Sequence, residues 1–116
     1  MSPMCYNKAV EEEIAIEIYE SDIGKCPYLE WERALTREVR AHVRKRLNRV
    51  RLGNFGDHKS LEGEKGLYEL RMHFGSGFRV YFGKKGNRVV ILLCGGDKGS
   101  QRRDIAKAKK YWGDCP

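Results

Sequence analysis

Apolar and polar residues alternate on both sides of a glycine turn in residues 66–82, which predicts a β-hairpin. A three-residue loop at residues 75–77 would pair Phe74 with Phe78, which sets His73 opposite Arg79 and Arg71 opposite Tyr81. The hairpin therefore gathers cationic and titratable groups on one surface, as a site that handles phosphate requires. The apolar face carries Tyr68, Leu70, Met72, Phe74, Phe78, Val80 and Phe82, and the other face carries Glu69, Arg71, His73, Arg79 and Tyr81.

The rest of the pattern predicts two further strands, one short extended segment and three helices. Residues 14–19 are typical of a strand, residues 58–61 of an extended segment, and residues 88–94 of a central strand buried on both faces. Three helices are also indicated: one from Pro27 to about Leu35, one capped by Thr36 and ended by Gly53, and one capped by Ser100 with Ile105, Ala108 and Trp112 on its apolar side.

Basic residues are concentrated in the last two-thirds of the chain. The whole chain of 116 residues has a formal net charge of +7 and a pI near 9.4. Residues 1–32 hold two Lys and Arg against eight Asp and Glu, whereas residues 33–116 hold twenty-one against eight, a net charge of +13. Such a field favours a nucleic acid or an acidic protein as the partner, and either complex would weaken at high salt.

The solvent side of the predicted second helix is crowded with cations. Glu38 is the one opposing charge in that helix. Like charges four residues apart destabilise a helix by about a few tenths of a kcal/mol per pair, so this surface would gain from an anion. Two interpretations stay open: a solvated charged face, or a surface that binds RNA or a protein through Arg40, Arg44 and Lys45. Tyr81 is a candidate for stacking on RNA bases. The cations are Arg37, Arg40, Arg44, Lys45, Arg46, Arg49 and Arg51.

The spacing of the cysteines favours neither a metal site nor a cofactor. Cys5, Cys26, Cys94 and Cys115 form no Cys-x-x-Cys pair, so no zinc or redox motif is encoded locally. Cys94 lies in an apolar strand and is expected in the core, while a disulfide between Cys5 and Cys115 stays open. The first residues lack a signal-peptide pattern and no segment has the length of a membrane span, so we expect a cytoplasmic protein with no membrane partner.

The order of five short motifs resembles a known family. The ordered combination over residues 14–112 resembles the RelE/ParE superfamily of toxin–antitoxin toxins, in particular the HigB-like branch of addiction-module killer proteins, which is related to a phage protein. Residues 1–12 then look like an N-terminal extension of a single domain over residues 1–116. The motifs are Gly-Asn-Phe-Gly-Asp at 53–57, Lys59-x-Leu61, Tyr-Glu-Leu-Arg at 68–71, Gly-Phe-Arg-Val-Tyr-Phe at 77–82 and Leu-Leu-Cys-Gly-Gly-Asp-Lys-Gly-Ser-Gln at 92–101.

The resemblance implies an α+β fold, RelE-like, in which two N-terminal helices pack on one face of a mainly antiparallel, twisted sheet and a C-terminal helix follows. It also implies an mRNA interferase, an endoribonuclease that cleaves messenger RNA on the ribosome and inhibits translation. A cognate antitoxin would hold it in check, in a complex through which the toxin could form homo-oligomers. The implied reaction needs no metal, because the protein itself must remove the 2′-hydroxyl proton, stabilise charge on the phosphate and protonate the 5′ oxygen.

Four basic residues match catalytic or cleft positions of this family. Arg79 matches the arginine that follows Gly-Phe at the start of a strand, and its guanidinium fork fits a scissile phosphate. Arg71 matches a basic position on the preceding strand, and Lys59 and Lys98 match basic positions beside the same cleft. As an exposed side chain, Arg79 is expected to contribute much to catalysis and little to the fold.

The sequence leaves the general base open. Histidine titrates near neutrality, so His73 is one candidate, and Lys98 or Lys59 is another if neighbouring cations favour its neutral form. The better-known RelE pattern has a tyrosine in the C-terminal helix and a second basic residue on the strand that carries Arg71. This chain has Asp104 and Glu69 at about those positions, which makes Asp104 a further candidate proton acceptor and Glu69 a partner for Arg71.

Three other functions stay open: a ParE-like toxin that inhibits DNA gyrase, a catalytically inactive chain that binds an antitoxin or regulates transcription, and a plain RNA-binding module. The cationic cluster on the hairpin argues against the gyrase inhibitor. We further expect an acidic or helical antitoxin segment to pack near the basic helix, at Arg37, Arg40, Arg44 and Arg51, rather than over Arg79.

Overall fold

The elements follow one another as the sequence pattern predicts, with ends that differ by a few residues. The computed structural model of the chain describes residues 13–116. Its strands are β1 (Ala15–Ile18), β2 (His58–Ser60), β3 (Leu67–Arg71), β4 (Arg79–Lys85) and β5 (Val89–Gly96). Its helices are α1 (Pro27–Arg33), α2 (Arg37–Arg51) and α3 (Gln101–Asp114), and a 3₁₀ turn (Lys98–Ser100) precedes α3.

The five strands form one mixed sheet in the order β1-β5-β4-β3-β2. β1 is parallel to β5, and the other three pairs are antiparallel. β5 lies between β1 and β4, with Val90 and Leu92 in the core on one face and Ile91 and Leu93 in the core on the other. The prediction that its apolar run is buried on both faces is therefore confirmed.

Helices cover both faces of the sheet. α1 and α2 pack on the face that carries Leu70, Val80 and Phe82, as predicted. α3 packs on the opposite face, where Ala108 joins a second core cluster that includes Tyr81. This layer buries part of the face that the sequence marks as polar, because Tyr81 is 0% exposed. The expectation that Tyr81 stacks on RNA is thus wrong, since its ring belongs to the core.

The register of the hairpin differs from the predicted one by two residues. Arg71 lies opposite Arg79, and Glu69 lies opposite Tyr81. The connection is longer than three residues, since the Met72 amide donates to the Phe78 carbonyl at 2.9 Å as the last rung before the loop. A shift by an even number keeps every side chain on its predicted face, so the sorting into faces is correct while the cross-strand pairs are wrong.

Cys94 lies in the core as expected. Burial raises the pKa of its thiol to about 12, which keeps the thiol protonated and unreactive at neutral pH. Cys5 lies outside the described residues, so a disulfide between Cys5 and Cys115 stays a prediction. Within residues 13–116, no helix is both long and apolar enough to cross a membrane.

Candidate active site

An open cleft of about 820 Å³ lies at the end of the sheet, where β3 and β4 approach the first turn of α3. It brings together four of the six predicted catalytic residues: Arg71, His73, Arg79 and Lys98. The loop at residues 74–77 forms one wall, and Gln101, the first residue of α3, forms part of another. Arg71 and Lys98, which are 27 positions apart in the sequence, thus line the same cleft.

A single buried carboxylate lies between the two arginines of the cleft. Glu69 is 1% exposed, its Oε1 lies 3.3 Å from Nε of Arg71 and its Oε2 lies 3.6 Å from Nε of Arg79. Neither Nε makes a hydrogen bond within the described structure, so both contacts are electrostatic. Gln101 Nε2 and the Tyr81 hydroxyl donate to Glu69 Oε2 at 2.7 and 3.3 Å. The expected pairing of Glu69 with Arg71 is confirmed, and Glu69 also contacts Arg79.

Two guanidinium charges against one carboxylate leave the cleft positive. Lys98 adds a further cation to the lining. An anionic group that enters the cleft would therefore be attracted, and the planar guanidinium groups suit the oxygens of a phosphate.

Arg79 is more buried than its position on the polar face suggests. Its side chain is 11% exposed, whereas the Arg71 side chain is 33% exposed. The expectation that Arg79 is an exposed side chain with little part in the fold is therefore wrong. Its guanidinium lies against the buried carboxylate of Glu69, so its removal affects stability as well as the site.

Asp97 fixes the turn that presents Lys98. The Asp97 carboxylate accepts hydrogen bonds from the backbone N–H of Gly99 at 2.9 Å and of Ser100 at 3.1 Å. Ser100 stands at the N-terminal boundary of α3, but its side chain does not cap the helix, contrary to prediction. Asp97 caps the preceding 3₁₀ turn instead and so holds Lys98 at the rim of the cleft.

His73 forms a hydrogen bond with Asp57 at the rim of the cleft. Nε2 of His73 contacts Oδ2 of Asp57, and both side chains are exposed. The hydrogen bond from His73 is the main reason that the pKa of Asp57 lies below its ordinary value. The backbone of Asp57 is fixed as well, because its carbonyl accepts from the Arg71 amide at 2.9 Å. The pair resembles other sites in which a carboxylate orients an imidazole.

Two predicted catalytic residues lie outside the cleft. Lys59 is exposed on the edge strand β2, opposite Glu69, and does not line the cleft. Asp104 is 6% exposed, accepts a hydrogen bond from the Ser100 hydroxyl and lines a neighbouring depression with Trp31. Gly96 makes room for it, since a Cβ there would lie 1.8 Å from the Asp104 carboxylate. Asp104 is thus enclosed at the base of α3, and its role as proton acceptor gains no support.

Several arginines of α2 have partners within the protein. Arg44 Nη2 lies 2.9 Å from Glu32 Oε1, and Glu32 is itself buried on α1. The Arg40 guanidinium donates to the carbonyls of Glu32, Arg33 and Leu35 at 2.9–3.2 Å. The view that Glu38 alone relieves these charges is therefore wrong. Arg40 and Arg44 join α1 to α2, which weakens the case for them as the free surface that binds RNA or an antitoxin.

Sequence reasoning missed three contributions to the site. Gln101 and Asp57 both lie within the matched motifs, at residues 92–101 and 53–57, yet neither was assigned a role. Arg46 was counted with the solvent-facing cations, but its guanidinium donates to the carbonyls of Phe55, Asp57 and Arg71. The motif glycine Gly56 explains this contact, since a Cβ there would lie 2.8 Å from Nη2 of Arg46.

No group of three or more His, Cys, Asp or Glu side chains placed to hold a metal ion occurs in the described part of the chain. The polar side chains that line the cleft are those of Arg71, His73, Ser76, Arg79, Lys98 and Gln101.

The fold is that of RelE. The structure of the E. coli toxin RelE, solved in the free state as a mutant with two arginines replaced by alanine, matches with a TM-score of 0.63 at 19% sequence identity, over 84% of this chain and 96% of that chain. The chain belongs to the family described as phage derived protein Gp49-like (DUF891), whose model matches residues 30–112. An uncharacterized protein of Haemophilus influenzae is 47% identical over 71 residues, which are 61% of this chain and 70% of that protein.

These matches confirm the predicted RelE-like α+β fold and the predicted relation to a phage protein. The finer assignment to a HigB-like branch stays a prediction.

Proposed function

We propose that this protein is the toxin of a toxin–antitoxin pair and that it cleaves messenger RNA on the ribosome. The observation that carries the proposal is the open cleft in which Arg71, Arg79, Lys98 and His73 meet. The family and the fold support the coarser part, a RelE-type toxin with a cognate antitoxin.

The cations of the cleft would stabilise the negative charge that the phosphate gains during cleavage. The 2′-oxygen forms a bond to phosphorus as the bond to the 5′ oxygen breaks, which leaves a 2′,3′-cyclic phosphate and a 5′-hydroxyl. Negative charge grows on the non-bridging oxygens in between. Arg79 and Arg71 would bind those oxygens, with Glu69 holding both guanidinium groups in place. Loss of one preorganised donor of this kind costs about 10²–10³ in rate.

We assign the proton transfers to His73 and Lys98. Nε2 of His73 contacts Asp57, so Nδ1 is the nitrogen that remains for the 2′-hydroxyl proton. The Asp57 carboxylate would then stabilise the imidazolium that forms. Lys98, on the other side of the cleft, would give a proton to the departing 5′ oxygen. Lys59 and Asp104 have no part in the proposed reaction, because neither lines the cleft.

Mapping RNA ends after brief induction in cells tests the proposal. We expect new 5′ ends within translated regions for the wild type and none for Arg79→Lys, which keeps the charge beside Glu69 but lacks the guanidinium fork. Arg102→Lys, an exposed change on α3, is the matched control and should cleave like the wild type. Growth arrest with intact messenger RNA would contradict the proposal, and loss of DNA supercoiling in the same cells would indicate the gyrase-inhibitor alternative.

A further inference from the structure

A second, smaller groove runs from the cleft along one side of α2. We call it the α2 groove, and its volume is about 190 Å³. One wall consists of α2 side chains at helical spacing, His42, Lys45 and Arg49, and the other consists of Met72, His73 and Phe74. The latter three residues also line the cleft, so the two depressions adjoin along residues 72–74.

The α2 wall of the groove is tied to the sheet, and two of its cations are exposed to solvent. Arg46 is one of its lining residues, and the three carbonyls that its guanidinium contacts tie α2 to the end of β3 and to the segment at residues 55–57. Lys45 and Arg49, on either side, are exposed. Among residues 13–116, no carboxylate lines the groove, and Asp57 contacts the lining residue His73.

The α2 groove also contains an aromatic pair. The rings of His42 and Phe74 are 4.7 Å apart at an angle of 38°. Phe74 is held from behind by Phe78, whose ring centroid is 5.3 Å away. His42 is exposed. A flat ring fixed beside two cations is the combination on which single-stranded nucleic acids bind, with the base stacked and the phosphates paired.

We propose that the α2 groove binds the nucleotides of the substrate RNA that adjoin the scissile phosphate, with a base against His42 and Phe74 and phosphates at Lys45 and Arg49. The inference rests on the proposed function and names a subsite for it. The shared lining favours RNA over an acidic protein segment, because a strand that is held at Arg79 and passes over residues 72–74 would enter the groove. It also moves the RNA surface of α2 away from Arg40 and Arg44, whose guanidinium groups bind within the protein.

The first test measures binding of uncleavable RNA to the purified chain. The probes are fluorescent 2′-fluoro oligonucleotides of three and nine nucleotides, titrated at two salt concentrations. We expect the longer probe to bind at least tenfold tighter than the shorter one, and Lys45→Ala/Arg49→Ala to abolish most of that gain. Loss of two phosphate contacts should lower the slope of log K against log salt by about 1.4. The control Lys85→Ala/Lys110→Ala removes the same charge at exposed positions elsewhere and should keep the gain.

A second test addresses the base. An abasic residue is moved along the nine-nucleotide probe, and we expect one position at which it weakens binding about tenfold to the wild type but not to His42→Ala. Such coupling identifies a stacked base, which a merely electrostatic surface would not produce.

Three results would overturn the inference: no gain with length in the wild type, an unchanged gain in the Lys45→Ala/Arg49→Ala variant, or an equal dependence on Lys45 and Arg49 for an oligoglutamate peptide of the same charge. The last would indicate a surface for acidic protein. Because the probes cannot be cleaved, these readouts do not depend on catalysis. If RNA is cleaved in cells but the Lys45→Ala/Arg49→Ala variant still binds the longer probe more tightly, the proposed subsite is refuted and the proposed nuclease activity is not. If RNA binds in the groove but is not cleaved in cells, the proposed nuclease activity is refuted and the subsite is not.

Discussion

Arg71 and Arg79 are direct cross-strand partners on β3 and β4, so two like charges face each other at the floor of the cleft. Directly opposed like charges destabilise a sheet. The buried carboxylate of Glu69 offsets them, since it contacts Nε of both. The pair is therefore held together by one anion, and a bound phosphate would supply a second.

Replacement of that anion should destabilise the fold. Glu69→Gln keeps the shape of the side chain but leaves two partly buried guanidinium groups uncompensated, and we expect a loss of about 3 kcal/mol in the free energy of unfolding. Chemical denaturation measures it, with the exposed Glu62→Gln as the control. A loss below about 0.5 kcal/mol would show that solvent already screens the two arginines.

Substitutions of Arg79 should separate stability from activity. Arg79→Ala removes a buried charge and leaves Glu69 with Arg71 alone, so we expect a loss of about 2–3 kcal/mol in stability, whereas Arg79→Lys should cost about 1 kcal/mol. Both variants should cleave RNA at least 10²-fold more slowly on ribosomes. Full activity in Arg79→Lys would mean that the site needs a cation but not the guanidinium fork.

The pKa of Asp57 should respond to His73. Because the hydrogen bond from His73 is the main cause that lowers it, His73→Ala should raise the pKa of Asp57 toward its ordinary value. A carboxylate with a lowered pKa stabilises the fold above its ordinary pKa, and that contribution is lost as the pH falls through the folded-state pKa. The variant should therefore lose less stability on acidification.

Carboxyl carbon NMR titration of Asp57 checks this directly. His58→Ala is the matched control, since the His58 ring contacts the Gly56 carbonyl rather than Asp57. An equal pKa of Asp57 in the wild type and in His73→Ala would show that the hydrogen bond between His73 and Asp57 does not form in solution.

Arg46 should be the α2 arginine on which the fold depends. Its guanidinium satisfies three backbone carbonyls at 2.6–3.0 Å, and truncation leaves them without that donor. We expect Arg46→Ala to lower the free energy of unfolding by about 3 kcal/mol and Arg49→Ala, three residues on, by no more than about 0.5 kcal/mol. Thermal and denaturant unfolding of the two variants decide the matter, and equal losses would contradict this account of Arg46.

The cleavage step should proceed without a divalent metal, since in the proposed mechanism the cations of the cleft stabilise the charge on the phosphate themselves. Preassembled ribosome complexes supplied with exchange-inert cobalt hexammine in place of magnesium test this, because that ion supports ribosomes but offers no metal-bound water. We expect the cyclic phosphate product to form at a similar rate. Its loss under these conditions, with ribosomes intact, would count against the proposed mechanism.

Much of the fold could be predicted from local patterns. Alternation along β3 and β4 correctly sorted their side chains onto two faces, because the period of two is a property of any extended chain. The two ends of α2 were also predicted correctly, from Thr36 and Gly53, because a capping residue acts within one turn of the helix end. The register between β3 and β4 was not predictable in this way, because glycines at residues 75 and 77 permit loops of several lengths.

The sequence by itself determined the elements, the faces of the hairpin and the four basic or titratable residues that meet in the cleft. The tertiary structure decided which charges are available to a ligand. Arg44, Arg46 and Gln101 find their partners 12, 25 and 32 residues away in the chain. Periodicity and capping act over a few residues, whereas the pairing and burial of a charge depend on whichever element folds against it, and only the packed structure brings those elements together.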